Sequence, residues 1–302
     1  MGGARAVVLG AAAGGGFPQW NCRCRVCDLA WRGDPRVERR TQSSLAVSGD
    51  GETWTLLNAS PDLPAQLRRH VALWPRSGPR HSPIAAVVLT NADLDHVAGL
   101  LSLRERQPFK LLALPPVHAA LAASPVFNVL AGNVVERVHA RQGEMYDTSP
   151  GLKATLFPVP GKVPLYAESE EPTIGTDEGE TAGILVEAGS SRLAYVPGCA
   201  ALTPGLRKRL EAADVVLFDG TLFTDDEMIR EGVGTKTGRL MGHVPITGDG
   251  GSLDMLRALP ARTRIYVHIN NTNPVLIEGS PERRIVDEAG LAIARDGMEV
   301  PL

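Results

Sequence analysis

The segment Leu89-Thr90-Asn91-Ala92-Asp93-Leu94-Asp95-His96 constrains this chain more than any other. It follows the apolar run Ile84-Ala85-Ala86-Val87-Val88-Leu89, which reads as a buried strand, Ile84–Thr90, and precedes a helix predicted from about Val97. A strand-to-helix turn loaded with Asp and His is a place where an α/β protein presents metal ligands to solvent. The chain must therefore be built around at least one such strand end.

The remaining pattern alternates in the same way. Strands are predicted at Ala6–Leu9, Ser44–Val47, Thr53–Leu57, Lys110–Leu114, Val134–His139, Lys153–Val159, Ala182–Glu187, Arg192–Val196, Val215–Asp219 and Arg264–Ile269. Helices are predicted from near Pro116, at Thr203–Ala213 (opening on a Thr-Pro cap), at Ser252–Leu259 and near Pro281–Arg295. Gly143–Ser149 reads as a loop, and the acidic stretch Glu168–Glu180 reads as a mobile surface loop and a candidate lid. Strand-rich stretches separated by helices in both halves predict two sheets back to back with helices outside, an αββα arrangement. With neither a low-complexity linker nor a short-period repeat, residues 1–302 read as a single domain.

Composition narrows the partners. A net charge of −3 gives no electrostatic reason to expect nucleic acid or an anionic membrane, and 5% aromatic residues argue against a base-stacking platform. No apolar run approaches the ~20 residues of a spanning helix. The apolar part of the N-terminus, Ala6–Leu9, is short for a signal h-region, so a cytoplasmic protein is expected. Gly2 lacks the Ser or Thr that myristoylation favours, and Gly14-Gly15-Gly16 carries neither a Walker Lys nor the dinucleotide spacing.

Of seven histidines, His96, His243 and His268 stand at strand-to-loop junctions in polar company, and Asp219 ends its own strand. A single Asp or His there is ordinarily a satisfied cap; four in one sheet protein point to a shared rim. His70, His81, His118 and His139 lack such settings and read as surface or structural. Asp95, His96 and His268 would supply one carboxylate and two imidazoles, a set with open positions that suits non-haem Fe(II) and also admits Zn or Mn.

Three of the four cysteines, Cys22, Cys24 and Cys27, fall within six residues, which suits a thiolate metal site better than disulfides. A structural Zn(II) needs a fourth ligand from elsewhere, either Cys199 or the Asn270–Asn273 loop. The neighbouring Arg23 and Arg25 are expected to ease ionisation of the thiols. One disulfide to Cys199 is the alternative, and it would require an oxidising compartment.

The frame of Thr90 to His96 resembles the Thr-His-x-His-x-Asp-His signature of the metallo-β-lactamase superfamily. Asn91 and Asp93 stand where the two leading histidines belong, while Asp95 and His96 remain. Where that fold commonly reads Pro-Gly-His, this chain has Pro160-Gly161-Lys162, and a protonated Lys cannot ligate a metal. Cys199 falls about where the fold often has its bridging Asp. These departures argue against a dinuclear lactamase or nuclease.

Nearly end to end, the chain resembles the coenzyme PQQ synthesis protein B family within that superfamily. The marks are Gly14-Gly15-Gly16-Phe17-Pro18-Gln19-Trp20-Asn21-Cys22-Arg23-Cys24, Asn58-Ala59-Ser60-Pro61-Asp62-Leu63, Leu89 to Glu105 and Pro160 to Tyr166. Phe218-Asp219-Gly220-Thr221, Gly242-His243-Val244-Pro245-Ile246 and His268 to Pro274 complete them.

The resemblance implies a role in making pyrroloquinoline quinone (PQQ) from a cross-linked glutamate–tyrosine precursor, by iron- and O2-dependent hydroxylation of the tyrosine-derived ring. It places one Fe(II) at Asp95, His96 and His268, with Asp93 assisting. Asp219 and His243 resemble the acidic–His pair of the related tRNase Z enzymes and would shuttle protons, and Lys162 would hold substrate carboxylates. The alternatives are non-catalytic carriage of PQQ or its precursor towards the periplasm, and a zinc hydrolase. Oligomeric state, a homodimer included, is left open.

Overall fold

The computed structural model of the chain describes residues 3–168 and 174–302. Among the described residues fourteen strands form two seven-stranded mixed sheets. The first contains β1 (Arg5–Gly10), β2 (Ser44–Ser48), β3 (Trp54–Leu57), β4 (Ile84–Val88), β5 (Phe109–Ala113) and β6 (Val135–His139) in chain order, with the last strand of the chain beside β1. The second contains β7 (Met145–Ser149), β8 (Leu152–Pro158), β9 (Ala182–Ala188), β10 (Ser191–Val196), β11 (Val215–Asp219), β12 (Thr263–Val267) and β13 (Ala292–Ile293), and the strand beside β1 is β14 (Glu299–Pro301). Strands β3 to β6 run parallel, as do β10 to β13, and the remaining pairs are antiparallel.

Period-2 alternation divides each strand between two cores. Ala6, Val8, Leu57, Val88 and Leu112 point between the sheets and meet Leu156, Ile184, Leu193, Leu217, Ile265 and Val267. Their neighbours Val7, Leu9, Leu56, Val87 and Leu111 point outward. Both faces of the central strands are buried, which is why they read as continuous apolar runs. The helices are α1 (Arg25–Trp31), α2 (Leu63–Arg69), α3 (Leu94–Val97), α4 (Pro115–Ala122), α5 (Pro204–Glu211), α6 (Glu227–Arg230), α7 (Ser252–Arg257) and α8 (Pro281–Glu288). Leu63 of α2 and Val117 of α4 cover the outside of the first sheet; Leu206 of α5, Leu256 of α7 and Val286 of α8 cover the second. The result is the expected αββα sandwich.

Several boundaries differ from the expectation. Met145–Ser149, expected to be loop, is an edge strand antiparallel to β8. The helix expected from Val97 starts at Leu94, which moves Asp95 and His96 onto α3, and a 3-10 turn over Ala98–Leu103 follows it. The last helix ends at Glu288, and residues expected to continue it supply β13. The short α1 and α2 were not anticipated. Of the acidic stretch expected as a surface loop and lid, residues 169–173 lie outside the described residues, residues 174–180 lie mostly at the surface without helix or strand, and the Glu168 side chain turns inward onto Lys162. Among the described residues no helix is long and apolar enough to cross a membrane.

Candidate metal centre

The two parallel blocks bring strand ends to one rim, where ligands of open α/β sheets ordinarily sit. Beyond β4 the chain passes Thr90, whose backbone N–H donates to Asn58 Oδ1 at 2.9 Å. It then turns into α3, which delivers Asp95 and His96; β12 delivers His268. One donor atom from each of Asp95, His96 and His268 lies within 4.8 Å of the others. His268 adopts φ +58°, a left-handed conformation uncommon outside glycine, directly after the last residue of β12.

The hydrogen bonds select the tautomers. His96 Nδ1 lies 2.7 Å from Asn91 Oδ1, so it carries the proton and donates it there. The opposite nitrogen, His96 Nε2, is buried without a hydrogen-bond partner among the described residues. His268 Nδ1 lies 2.8 Å from Thr221 Oγ1, which in turn donates to Asp219 Oδ1 at 2.6 Å. That leaves His268 Nε2 facing Asp95 Oδ2 at 3.0 Å, two acceptors that need a cation or a proton between them. An orphaned imidazole nitrogen and this facing pair fit a metal ion held by Asp95, His96 and His268.

Electrostatics agree with that geometry. Burial favours the neutral form of Asp95, but the imidazoles of His96 and His268 outweigh it and hold the carboxyl below its ordinary range. Burial pushes His96 down to about 4. Burial also works against a charged His268, yet the Asp95 carboxylate beside it raises that imidazole overall.

The other expected residues surround this group. Asp219, fully buried, accepts from Cys199 N and His243 Nδ1 on one oxygen and from Thr221 N and Oγ1 on the other. With both oxygens so committed it is a poor metal donor, although Asp219, His243 and His268 also lie close together. His243 lines the pocket and stacks on His268 with centroids 5.2 Å apart. Asp93, expected to assist the metal, stands outside the three-donor group. Its Oδ2 accepts from Asn91 Nδ2 at 2.8 Å, so it reaches His96 only through Asn91. Burial and the charge of Asp95 favour the protonated form of Asp93.

Lys162 is neither a solvated loop residue nor free: its Nζ is 2.6 Å from Glu168 Oε1, and Lys236 Nζ is 2.8 Å from the other oxygen. These three residues, His243 and the three-donor group line one cavity of about 490 Å³. Sequence reading missed Asn91 as the partner of His96, Thr221, Glu168 and Lys236. Thr221 stood in a recognised motif, whereas Lys236 carried no local signal. Cys199 is buried, donates to Ala201 O and has its thiol pushed up to about 12 by burial; it lies outside the metal-donor groups. His118 is buried against Val138 O and tilted on His139, a structural arrangement.

All four cysteines are unbridged thiols, so the expected alternative of a disulfide is not realised. Cys22, Cys24 and Cys27 converge within 4.8 Å. The expectation of readily ionised thiols is corrected: Arg23 is bonded to Asp28 and Arg25 is paired with Glu231. Burial raises the Cys22 thiol; the hydrogen bond shared with Cys27, and then burial, raise Cys24, while that same hydrogen bond lowers Cys27 against its burial. A bound cation would supply the missing positive charge. What the three sulfurs meet is Asn271: its Nδ2 lies 3.1 Å from Cys22 Sγ and 3.3 Å from Cys27 Sγ, and its backbone O lies 3.6 Å from Cys24 Sγ. Of the two sources considered for a fourth ligand, the Asn270–Asn273 loop is the one at hand.

This αββα sandwich, with an Asp-His-His set at its rim whose two histidines are buried, defines a metallo-β-lactamase-fold protein, and a Beta-lactamase superfamily domain matches residues 53–269. Similarity narrows it further. A coenzyme PQQ synthesis protein B of Methylobacterium sp. (strain 4-46) is 58% identical over 99% of this chain and 100% of its own. The crystal structure of Zn2+-bound PqqB from Methylobacterium extorquens superposes with a TM-score of 0.97 at 54% identity, covering 99% of this chain and 100% of that one. A PhnP-family diphosphatase, at 21% identity and TM-score 0.69 over 99% of this chain and 97% of its own, shares the fold. The chain belongs to the coenzyme PQQ synthesis protein B family.

Proposed function

We propose that this protein acts in PQQ biosynthesis as an iron- and O2-dependent enzyme that hydroxylates the tyrosine-derived ring of a cross-linked glutamate–tyrosine precursor. The observation that carries the reading is the donor set of Asp95, His96 and His268. His96 offers an orphaned Nε2 and His268 an Nε2 facing Asp95, while Lys162 is committed to Glu168 and Asp219, with both oxygens hydrogen-bonded, is a poor donor for a second metal. One carboxylate and two imidazoles leave coordination positions open, and a ferrous ion there would supply the one-electron chemistry that O2 requires. Zn(II) in this reading belongs with Cys22, Cys24 and Cys27.

The chain's own residues then divide the work. Asn91 and Thr221 hold the Nδ1 protons of His96 and His268, keeping both Nε2 lone pairs directed inward. His243, fixed by the Asp219 carboxylate at 2.7 Å, exchanges a proton at its other ring nitrogen with the substrate hydroxyl. Lys162 faces substrate carboxylates. One oxygen atom enters the ring and the other leaves as water, so two electrons come from an external reductant or from a diphenolic substrate.

The test is O2 uptake by metal-stripped protein refilled anaerobically with Fe(II) or Zn(II) and given a glutamate–tyrosine-derived diphenol. Uptake with Fe(II) alone, lost in His96→Ala and His268→Ala, is the expected result. No uptake with either metal, alongside measurable PQQ binding, would overturn it in favour of a carrier.

A further inference from the structure

The cationic wall of the metal pocket already holds an anion that belongs to the chain. Glu168 spans two ammonium groups, with Oε1 at 2.6 Å from Lys162 Nζ and Oε2 at 2.8 Å from Lys236 Nζ. The Glu168 side chain is 8% exposed, Lys162 12% and Lys236 43%. All three line the cavity that contains Asp95, His96 and His268. The stem of Lys162 packs against Gly242, where a Cβ would come within 3.3 Å of Lys162 Cγ and Cδ, so this ammonium is held in place from below.

A carboxylate bridging two lysines inside a ligand cavity is the arrangement a ligand carboxylate would adopt there. Apart from the two lysines, Glu168 is held among the described residues only through its backbone and a short turn, Leu165–Ala167, in which Leu165 is 69% exposed and Tyr166 Oη donates to Ala92 O at 3.1 Å. We propose that Glu168 is an internal placeholder. Lys162 and Lys236 form the carboxylate subsite for a polycarboxylate substrate, and the substrate displaces Glu168 from both.

With Glu168 in place the wall carries one net positive charge; with it swung out, two, matching two ligand carboxylates. Lys236 thereby becomes a specificity residue, because a monocarboxylate would gain too little to expel Glu168. This rests on the reading of the pocket as one for an acidic precursor.

Binding of PQQ, itself a tricarboxylate, to Zn(II)-loaded full-length protein tests the proposal by calorimetry without turnover. Glu168→Gln should bind PQQ about tenfold more tightly, the scale of one charge-assisted hydrogen bond released for the ligand. Glu168→Asp, one methylene too short to bridge both lysines, should move in the same direction by less, and serves if the first variant folds poorly. Lys236→Ala should weaken binding about tenfold and abolish most of the gain from Glu168→Gln.

Unchanged or weaker binding in both Glu168 variants, with wild type still binding, would mean that Glu168 braces the lysines. That overturns the proposal and leaves the reading of the pocket intact. If neither wild type nor any variant binds PQQ or benzene-1,3,5-tricarboxylate, the acidic-ligand reading fails and the proposal falls with it.

Discussion

At the scale of single residues, the replacement of a ligand by an amide changes what a position can do without removing it from the site. Asn91 cannot match an imidazole as a metal donor, yet its Oδ1 fixes the His96 ring and its Nδ2 ties that ring to Asp93. Asn91→Leu should therefore lower affinity at the three-donor group about 10–100-fold, the usual cost of losing a partner behind a ligating histidine. Competitive metal titration checks this, and unchanged affinity would show that packing alone orients His96. Asp219 differs in that both of its oxygens are committed, to Cys199 N and His243 Nδ1 on one and to Thr221 N and Oγ1 on the other. Asp219→Asn should keep one metal ion per three-donor group by elemental analysis while turnover falls by about 100-fold, as expected of a disrupted proton relay. Loss of that metal would instead make Asp219 a ligand.

At the scale of elements, the metal rim and the cysteine loop form one mechanical unit. Ala13 N donates to Ile269 O and Ile269 N to Ala11 O, both at 2.9 Å, so the N-terminal loop pairs with the residue directly after His268. Two residues further on, Asn271 meets the three sulfurs. If the three thiols hold Zn(II) as proposed, Cys24→Ser should lower bound zinc by about one ion per chain and the melting temperature by about 5 °C or more. It should also loosen metal at Asp95, His96 and His268, measured as earlier loss to a chelator. A fall in melting temperature with unchanged chelation of the second site would separate the two.

These couplings also explain what could be read in advance. Asp95, His96, Asp219 and His268 were legible because strand ends announce themselves as apolar runs that break into polar residues. His243, expected at such a strand end, instead follows a 3-10 turn, Arg239–Met241, and the left-handed Gly242, so only its glycine-flanked setting marked it. Glu168 and Lys236 were not legible, because they lie 68 residues apart on loops and acquire meaning only by meeting. The seven-residue α1, with Cys24 as its N-cap and Cys27 inside it, has too little apolar period to declare itself. The same holds for the two-residue β13 and three-residue β14, which exist only because a sheet edge accepts them.

At the scale of the whole molecule, the cost of carrying a polar rim on a doubly buried sheet should be measurable as a pH dependence of global stability. Glu227 of α6 is 3% exposed, accepts from Phe223 N and Thr272 Oγ1, and so pins the loop after His268 to the helix. Burial outweighs those hydrogen bonds and pushes its carboxyl up to about 7, from 4.5. A group that holds its proton more tightly when folded binds more protons in the native state across that window. Stability therefore falls as pH rises from about 4.5 to about 7 and is flat in this contribution above it. The integrated loss is up to about 3 kcal/mol. Glu227→Gln removes the titration while every histidine and every other carboxylate titrates alike in both proteins. Urea unfolding across pH 4.5 to 8 should then show the advantage of wild type over the variant shrinking through the window and levelling above it. A constant difference would mean that Glu227 ionises at its ordinary pH, and that water or a small opening of α6 reaches a carboxyl the packing otherwise seals.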